Sequence, residues 1–543
     1  MREQRLRAPK ADGSILARLP LSEAAALVAT NRGHLASWSY DFNGRSAAHL
    51  REKVRSDVLA AAARYHEGAG LDAIDLASID PTAPIVATGH QPELFHPGVW
   101  VKNFAVASLA DRAGGLGLNL IVDNDIPKGA AIRVPGRDGP NGSLKSRIVA
   151  FDDWAGESPY EDQSIRDAAQ FAGFPDRVRE VMGADAPASM LLDEYWPEVL
   201  EAPVGMPDRD RVGLRFARAR RIIEAKWGVR NVEVPLSLAC ETEGFLWFAC
   251  HLLAHLDRFR AVHNAALDRY RAAHQIRSKN HPVAALASKD GWAEAPFWAW
   301  RRSSPRRKPL QVRQHGRTMD LRIGGESEPF LSLPLAADRE SCCAVEALTA
   351  LPEMGIRLRT RALTTTMFAR FLLGDLFVHG IGGAKYDELG DEVSRDFFEI
   401  QPPAFLTLSM TLHLGLPTTG ATLDESHSVG RQLRDLDWQP ERRLARVDEA
   451  RTLIEEKRRL ADRVPASRRE RELRYKALRS VNARLVDLAE GTGPSREELE
   501  AELARIGRAL DDDAVARSRE YPAALFDPRR IEAAMLGAGS PVG

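Results

Sequence analysis

Ala83–Asp125 reads APIVATGHQPELFHPGVWVKNFAVASLADRAGGLGLNLIVDND, and the order of textures within it decides the fold. APIVATG is a short apolar run closing on Gly89, the pattern of a buried strand entering a loop. VWVKNFAVASLADRAGG follows with helical spacing and stops at Gly114 and Gly115. LGLNLIVDND is a second apolar strand, ending in carboxylates. Strand, glycine loop, helix and strand make the βαβ unit of a parallel sheet, whose parallel neighbours need a long crossover. Residues 85–125 are therefore expected to form such a unit in an α/β fold, with Gly89 and His90 in the loop at the carboxyl end of the first strand.

Ligands of open parallel sheets bind at the carboxyl ends of the strands, so that loop is the first candidate site. Thr88, Gly89, His90, Gln91, His96, Gly98 and Lys102 fall within it or one turn beyond. The glycines permit close backbone approach, the imidazoles titrate near neutrality, and the following helix offers free N–H groups to an anion. The same residues also suit a rigid turn whose histidines cap helices. The second strand ends in Asp123, Asn124, Asp125 and Lys128, which would share the rim with His90. A carboxylate there can accept sugar hydroxyls or deprotonate an amine, or simply cap a helix. A third candidate is HGIGGAKYDE, where Gly382, Gly383, Lys385 and Tyr386 would form an anion-binding turn between two helices. Its spacing is not that of a Walker A loop. Arg361 and Thr364, Thr365 and Thr366 lie upstream and are expected to face the same site.

Farther out, residues 21–80 carry helical patterns, and 131–230 are mixed. TEGFLWFACHLLAHLDRFRAVHNAALDRYRAAHQI reads as one long helix, and EAPFWAWRR, PLQVR and DLRIG read as strands with core aromatics. After about Gly420 the chain becomes rich in Arg, Glu, Leu and Ala. Leu478, Val481, Leu485 and Leu488 recur at heptad spacing, as do Leu499, Leu503, Ile506 and Leu510. Gly491, Gly493 and Pro494 separate the two runs, predicting helices packed antiparallel. The expected organisation is a core over 1–425 with an inserted region at about 131–330, a helical coiled-coil hairpin over 426–525, and a tail over 526–543.

Weaker signals surround these. His251 and His255 have the i, i+4 spacing of a metal pair but lack a third ligand, so a structural role is expected. Arg277–Pro282 reads as a solvated turn, and Cys342–Cys343 as packing. The arginines of the C-terminal helices are expected to pair with neighbouring glutamates. The formal charge of −1 over 543 residues gives no global field for nucleic acid or an anionic membrane. Four cysteines without a CxxC pair fit a reducing compartment, and no apolar run has the length of a membrane span. The expectation is a cytoplasmic protein without nucleic-acid or membrane partners; no metal-ligand set is evident, and the need for a metal stays open.

The order of features resembles the cysteine-adding enzymes of bacillithiol synthesis (BshC). Their early TGQQ…LF-GP loop corresponds here to TGHQPELFHPGVWVKNF, their acidic strand end to VDND, and their GGP-type loop to the GIGGAKYDEL region. Residues 430–520 stand where that family carries a helical coiled coil. His90 stands where the family has glutamine, GGAKYDE replaces GGP, residues 131–300 match poorly, and no KMSKS-like loop is present. The resemblance implies a Rossmann-like core related to class I aminoacyl-tRNA synthetases and nucleotidyltransferases. It also implies an activity, joining cysteine or a similar amino acid to the amine of an amino sugar such as glucosaminyl malate. Under it, His90 would stabilise developing negative charge, Asp123 or Asp125 would position or deprotonate the amine, and Gly382, Gly383 and Lys385 would hold an anionic end. ATP or another nucleotide remains open as a cofactor, and a homodimer through the C-terminal helices as an assembly. The alternatives are a nucleotidyltransferase of the same superfamily and a non-catalytic ligand-binding or scaffold protein.

Overall fold

The apolar run at Ile85 does form a strand, and the helix after it returns the chain to a parallel neighbour. The computed structural model describes residues 6–139, 142–154, 156–201, 205, 210–276, 283–444, 447–489 and 491–539. Strands are numbered along the chain, beginning with β1 (Ile15–Ala17), β2 (Ile85–His90) and β3 (Leu116–Ile121). A two-stranded ribbon, β4 (Ala131–Arg137) with β5 (Leu144–Ala150), precedes β6 (Val232–Pro235). Then come β7 (Ser288–Lys289), β8 (Trp292–Arg301), β9 (Ser304–His315), β10 (Thr318–Ile323), β11 (Leu331–Leu333) and β12 (Ile356–Thr360). The last are β13 (Leu376–His379) and β14 (Phe405–Met410).

The fold is mixed α/β around a parallel sheet of order β1-β14-β13-β2-β3-β6, in which only β1 runs antiparallel. From β2 the chain moves to β3 and β6 on one side, and from β13 to β14 on the other. The strand order thus reverses between β2 and β13, the place where open sheets leave a crevice at their carboxyl ends. An antiparallel sheet of order β11-β10-β9-β8-β12 shares the largest apolar core with it. Ala87, Leu118, Leu120 and Val234 of the first sheet are joined in that core to Phe297, Leu310 and Leu358 of the second.

Three local expectations need correction. Gly89 and His90 are the last two residues of β2 itself, with His90 in register with Ile121, and are not in the loop after it. The predicted single long helix breaks at His255 into Glu243–Ala254 and Leu256–Ala273. Between the helices expected around HGIGG lies β13, so Gly382 and Gly383 occupy the first turn of the Ile381–Phe397 helix. LFVH is only three apolar residues and a histidine, too short for periodicity to tell strand from helix.

The chain divides into two compact units. The first holds Met1–Val134, Arg147–Leu414 and Arg519–Gly543, and the second holds Pro135–Ser146 and Gly415–Ser518. Residues expected as a C-terminal tail form the helix Pro528–Gly539 in the first unit, packed on the Pro97–Arg112 helix. In the second unit, Val447–Asp462 packs on Arg468–Leu488 through Ala450, Leu453, Val481 and Leu485. Leu423–Trp438 packs on Arg496–Ala516. That pair is antiparallel, since Arg496 bonds Asp437 while Asp513 bonds Thr419. No helix among the described residues is long and apolar enough to cross a membrane.

Candidate functional site

A cavity of about 320 Å³ opens at the carboxyl ends of β2 and β3. Its floor is Gln91, Val122, Asn124 and Asp125, the residues that leave those two strands. Its walls come from the antiparallel sheet, through Pro296 and Trp298 of β8, Arg307 of β9 and Thr360 of β12, and from Arg361, Thr364 and Thr365 just beyond. Phe259 and His263 of the Leu256–Ala273 helix, with Val283, Ala284 and Leu286 after it, close the remaining side. The parallel sheet thus supplies the floor and the antiparallel sheet the roof.

The floor is acidic and held in place. Gln91 Nε2 donates to Asp125 Oδ2 at 2.9 Å, and Arg307 pairs with Asp125 Oδ1 at 2.9 Å. Arg307 also donates to the Asn124 carbonyl, and Asn124 Nδ2 donates to the Thr360 carbonyl, so the β3 loop is fastened to both sheets.

The roof is basic and underused. Arg361 lies over the Trp298 ring, 4.3 Å from its centroid, with Arg307 5.2 Å from the same centroid. Among the described residues, Arg361 Nε is buried without a hydrogen-bond partner, and Nη2 makes no aligned hydrogen bond. Its one carboxylate neighbour among the described residues is Glu294, whose Oε2 lies 3.5 Å from Nη2, an ion-pair distance without an aligned hydrogen bond. A buried guanidinium is stable only when its fork is matched, so one unbonded and one loosely paired donor in a cavity wall describe a seat for a carboxylate or phosphate. Burial pulls the Arg361 pKa below its ordinary value, with partial relief from Glu294.

His263 adds a neutral imidazole. Asn264 Oδ1 accepts from the Leu286 N–H and stands 3.2 Å from His263 Nδ1, which places the proton on Nδ1 and leaves Nε2 as an acceptor. Burial holds this histidine below its usual pKa, and the Arg361 charge adds to the effect.

Of the residues singled out from sequence, the structure brings Gln91, Asp125, Arg361, Thr364 and Thr365 to this cavity. His90 is not there. Its side chain turns to the Pro97–Arg112 helix, where Lys102 Nζ lies 2.9 Å from Nδ1 and Asn103 Oδ1 2.7 Å from Nε2. An ammonium can only donate, so Nδ1 accepts and Nε2–H donates to Asn103. Asn103 Nδ2 in turn donates to Glu224, which also takes bonds from Trp100 and Arg220. Arg220 continues to Glu233 at 2.7 Å. All of these polar groups are buried. Burial, then the Lys102 charge, keeps the His90 pKa well below the usual histidine value. Burial alone pulls Lys102 down to about 7. The Lys102 ammonium abuts Gly380 at the start of the Ile381–Phe397 helix, where an added Cβ would lie 3.4 Å from Nζ.

Asp123 is equally enclosed. It accepts from the Ser237 N–H at 2.9 Å and the Ser237 hydroxyl at 2.5 Å, tying the end of β3 to the end of β6. Burial, then the neighbouring Glu161, pushes its pKa up to about 7. Asp125, not Asp123, is therefore the carboxylate that a ligand in this cavity would meet. Thr88 donates to the Val378 carbonyl and staples β2 to β13. His96 caps its helix by accepting from the Gly98 N–H at 3.1 Å, and burial lowers its pKa to about 4. Gly98 is obligatory, because a Cβ there would collide with the Met410 carbonyl and the Arg519 guanidinium.

Gly382, Gly383, Lys385 and Tyr386 do not line the cavity. Lys385 is exposed, Tyr386 is half-buried against the main core, and a Cβ on Gly383 would press on His379 Nδ1 at 2.7 Å. His251 is spent structurally, bonded to Asn43 Oδ1 at 2.6 Å and Tyr40 at 3.0 Å. No group of three metal-ligating side chains occurs among the described residues. Cys342 and Cys343 are exposed at the start of a helix and do not pack in the core. Arg277–Pro282 lies outside the described residues.

Arg307, Trp298 and His263 were missed as site residues. Trp298 read as a core aromatic, and Arg307 sits in RRKPL, which looks like a solvated charge run. Their one legible signal is alternation, since β8 and β9 must each present one face inward. No protein-family model matches the chain, and no curated protein gives a significant match.

Proposed function

We propose that this chain is a C–N bond-forming enzyme that adds cysteine or a similar amino acid to an amino sugar bearing carboxylates, glucosaminyl malate being the reference compound. The observation that carries this reading is the opposition, across one cavity, of the under-bonded Arg361 fork and the Asp125–Gln91 floor. Arg361 and Arg307 would hold the anionic end of the substrate. Asp125 would receive the amine or its proton, and His263 Nε2 is a second acceptor in the same wall. The reversal of strand order beside β2 supports a Rossmann-like core of the class I synthetase and nucleotidyltransferase type. The two antiparallel helix pairs of the second unit are read as that family's coiled-coil hairpin.

An amide formed from a free carboxylate and an amine releases water and needs an activated carboxyl group. The test therefore incubates the full chain with cysteine and glucosaminyl malate, with and without ATP, and follows products by mass spectrometry. The expected product has the summed mass of the two substrates less one water. Absence of product in every mixture, together with no binding of either substrate, would overturn the proposal.

A further inference from the structure

The charge of this protein is nearly balanced overall but not locally. Between Lys457 and Arg484 stand eleven Lys or Arg residues against three Asp or Glu, in a chain whose net charge is −1. This stretch is the hairpin made by the end of the Val447–Asp462 helix, a short turn and most of the Arg468–Leu488 helix. The apolar residues of the pair turn inward, so the cations stand on the outside.

Lys457 is paired with Glu441 at 2.8 Å, but the acids near the arginines do not neutralise them. Glu470 is used as a cap, accepting from the Ala466 N–H, and Glu472 reaches only Arg468, at 3.5 Å. Arg458, Arg459, Arg469, Arg471, Arg479 and Arg484 are exposed and have no ion-pair partner among the described residues. Pairing along the helix, expected from composition, is therefore the exception here. Beside these cations lie two half-exposed aromatic rings from different helices, Trp438 and Tyr475, with centroids 6.0 Å apart. Large aromatics left in water next to unpaired guanidinium groups are a stacking platform within a positive field.

We propose that this hairpin binds single-stranded nucleic acid, with the arginines on phosphates and Trp438 and Tyr475 stacked on bases. The inference is independent of the reaction proposed above. An anionic membrane is the less suitable polyanion. Lipid binding needs a continuous apolar face beside the cations. The hairpin's exposed large aliphatic residues are Val464 and Leu473, with Val486 and Leu488 only beyond Arg484.

The test uses the full chain and fluorescence anisotropy with labelled 20-nucleotide single-stranded RNA, the matching DNA strand, and the duplex, over a range of salt. Vesicles containing phosphatidylserine form a fourth arm, read by co-sedimentation. Binding to single strands with a steep salt dependence is expected, and the RNA and DNA arms tell which sugar is preferred. The triple variant R469Q/R479Q/R484Q should lower the salt slope by about 2, or affinity on the order of 10²-fold at 0.1 M salt, at ~0.7 per phosphate contact. Trp438→Ala with Tyr475→Ala should weaken binding roughly 30-fold or more while the salt slope stays unchanged. Both variants alter exposed side chains, and circular dichroism checks that they remain folded. No binding at 50 mM salt, binding that both variants leave intact, or binding to vesicles alone would overturn the proposal.

Discussion

Replacing Arg361 with methionine separates a binding role from a structural one. Met keeps most of the stem that lies over Trp298 and removes the charge and all donors. If Arg361 existed to hold the fold, its loss would strand Glu294 and cost about 3–5 kcal/mol, the usual penalty for breaking a buried pair. The geometry argues otherwise. Glu294 is 3.5 Å from Nη2 without an aligned bond, and neither Nε nor Nη2 has a hydrogen-bond partner among the described residues, each such orphan costing the native state roughly 1–3 kcal/mol. Losing the weak pair and relieving the orphans offset each other, so stability should stay within about 1 kcal/mol of wild type. Ligand binding should not survive so well. Two charge-assisted bonds to one carboxylate contribute about 3–4 kcal/mol, or on the order of 10²–10³-fold in Kd. Calorimetric titration with glucosaminyl malate and with malate, beside urea denaturation, measures both quantities. Unchanged affinity, or a stability loss above 3 kcal/mol with affinity retained in the folded fraction, would refute the reasoning.

Two further outcomes follow from the floor and from the buried chain beneath it. Asp125→Asn should lower kcat about 10²-fold or more if the carboxylate takes the amine proton, while stability falls by less than about 1 kcal/mol because its pair with Arg307 is partly exposed; steady-state kinetics and a thermal melt decide, and unchanged turnover would remove Asp125 from the chemistry. Lys102, pulled down to about 7, binds fewer protons folded than unfolded from pH 7 to its ordinary value near 10.5, so its contribution to stability rises with pH across that window by at most about 1.4 kcal/mol per unit. Denaturation of wild type and Lys102→Met from pH 7 to 10 should show that difference in slope, and parallel curves would mean that Lys102 titrates normally.

The βαβ unit was legible because its three parts are contiguous and each carries its own pattern, from the apolar run at Ile85 to the acidic end at Asp125. β13 was not, because three apolar residues and a histidine fit a helix as well as a strand. The candidate site was half legible for a similar reason. Its floor follows β2 and β3 directly in the chain, whereas Phe259, Trp298, Arg307 and Arg361 arrive from segments far along the sequence and meet only in three dimensions. His90 attracted attention by its position at a strand end. Side chains alternate along a strand, so of His90 and Gln91 only one can face the cavity. Which one depends on the face covered by the Pro97–Arg112 helix, and the linear pattern does not encode that. Asp123 and Asp125 divide in the same way, one bonded to Ser237 and one on the cavity floor.

The central claim is that the cavity over β2 and β3 seats the anionic end of the substrate, and a crystal structure of the protein soaked with glucosaminyl malate tests it most directly. The account predicts density for a malate carboxylate within hydrogen-bond distance of Arg361 Nε and Nη2, with the sugar amine toward Asp125. Density for the ligand elsewhere, with Arg361 still unpartnered beside Trp298, would contradict it.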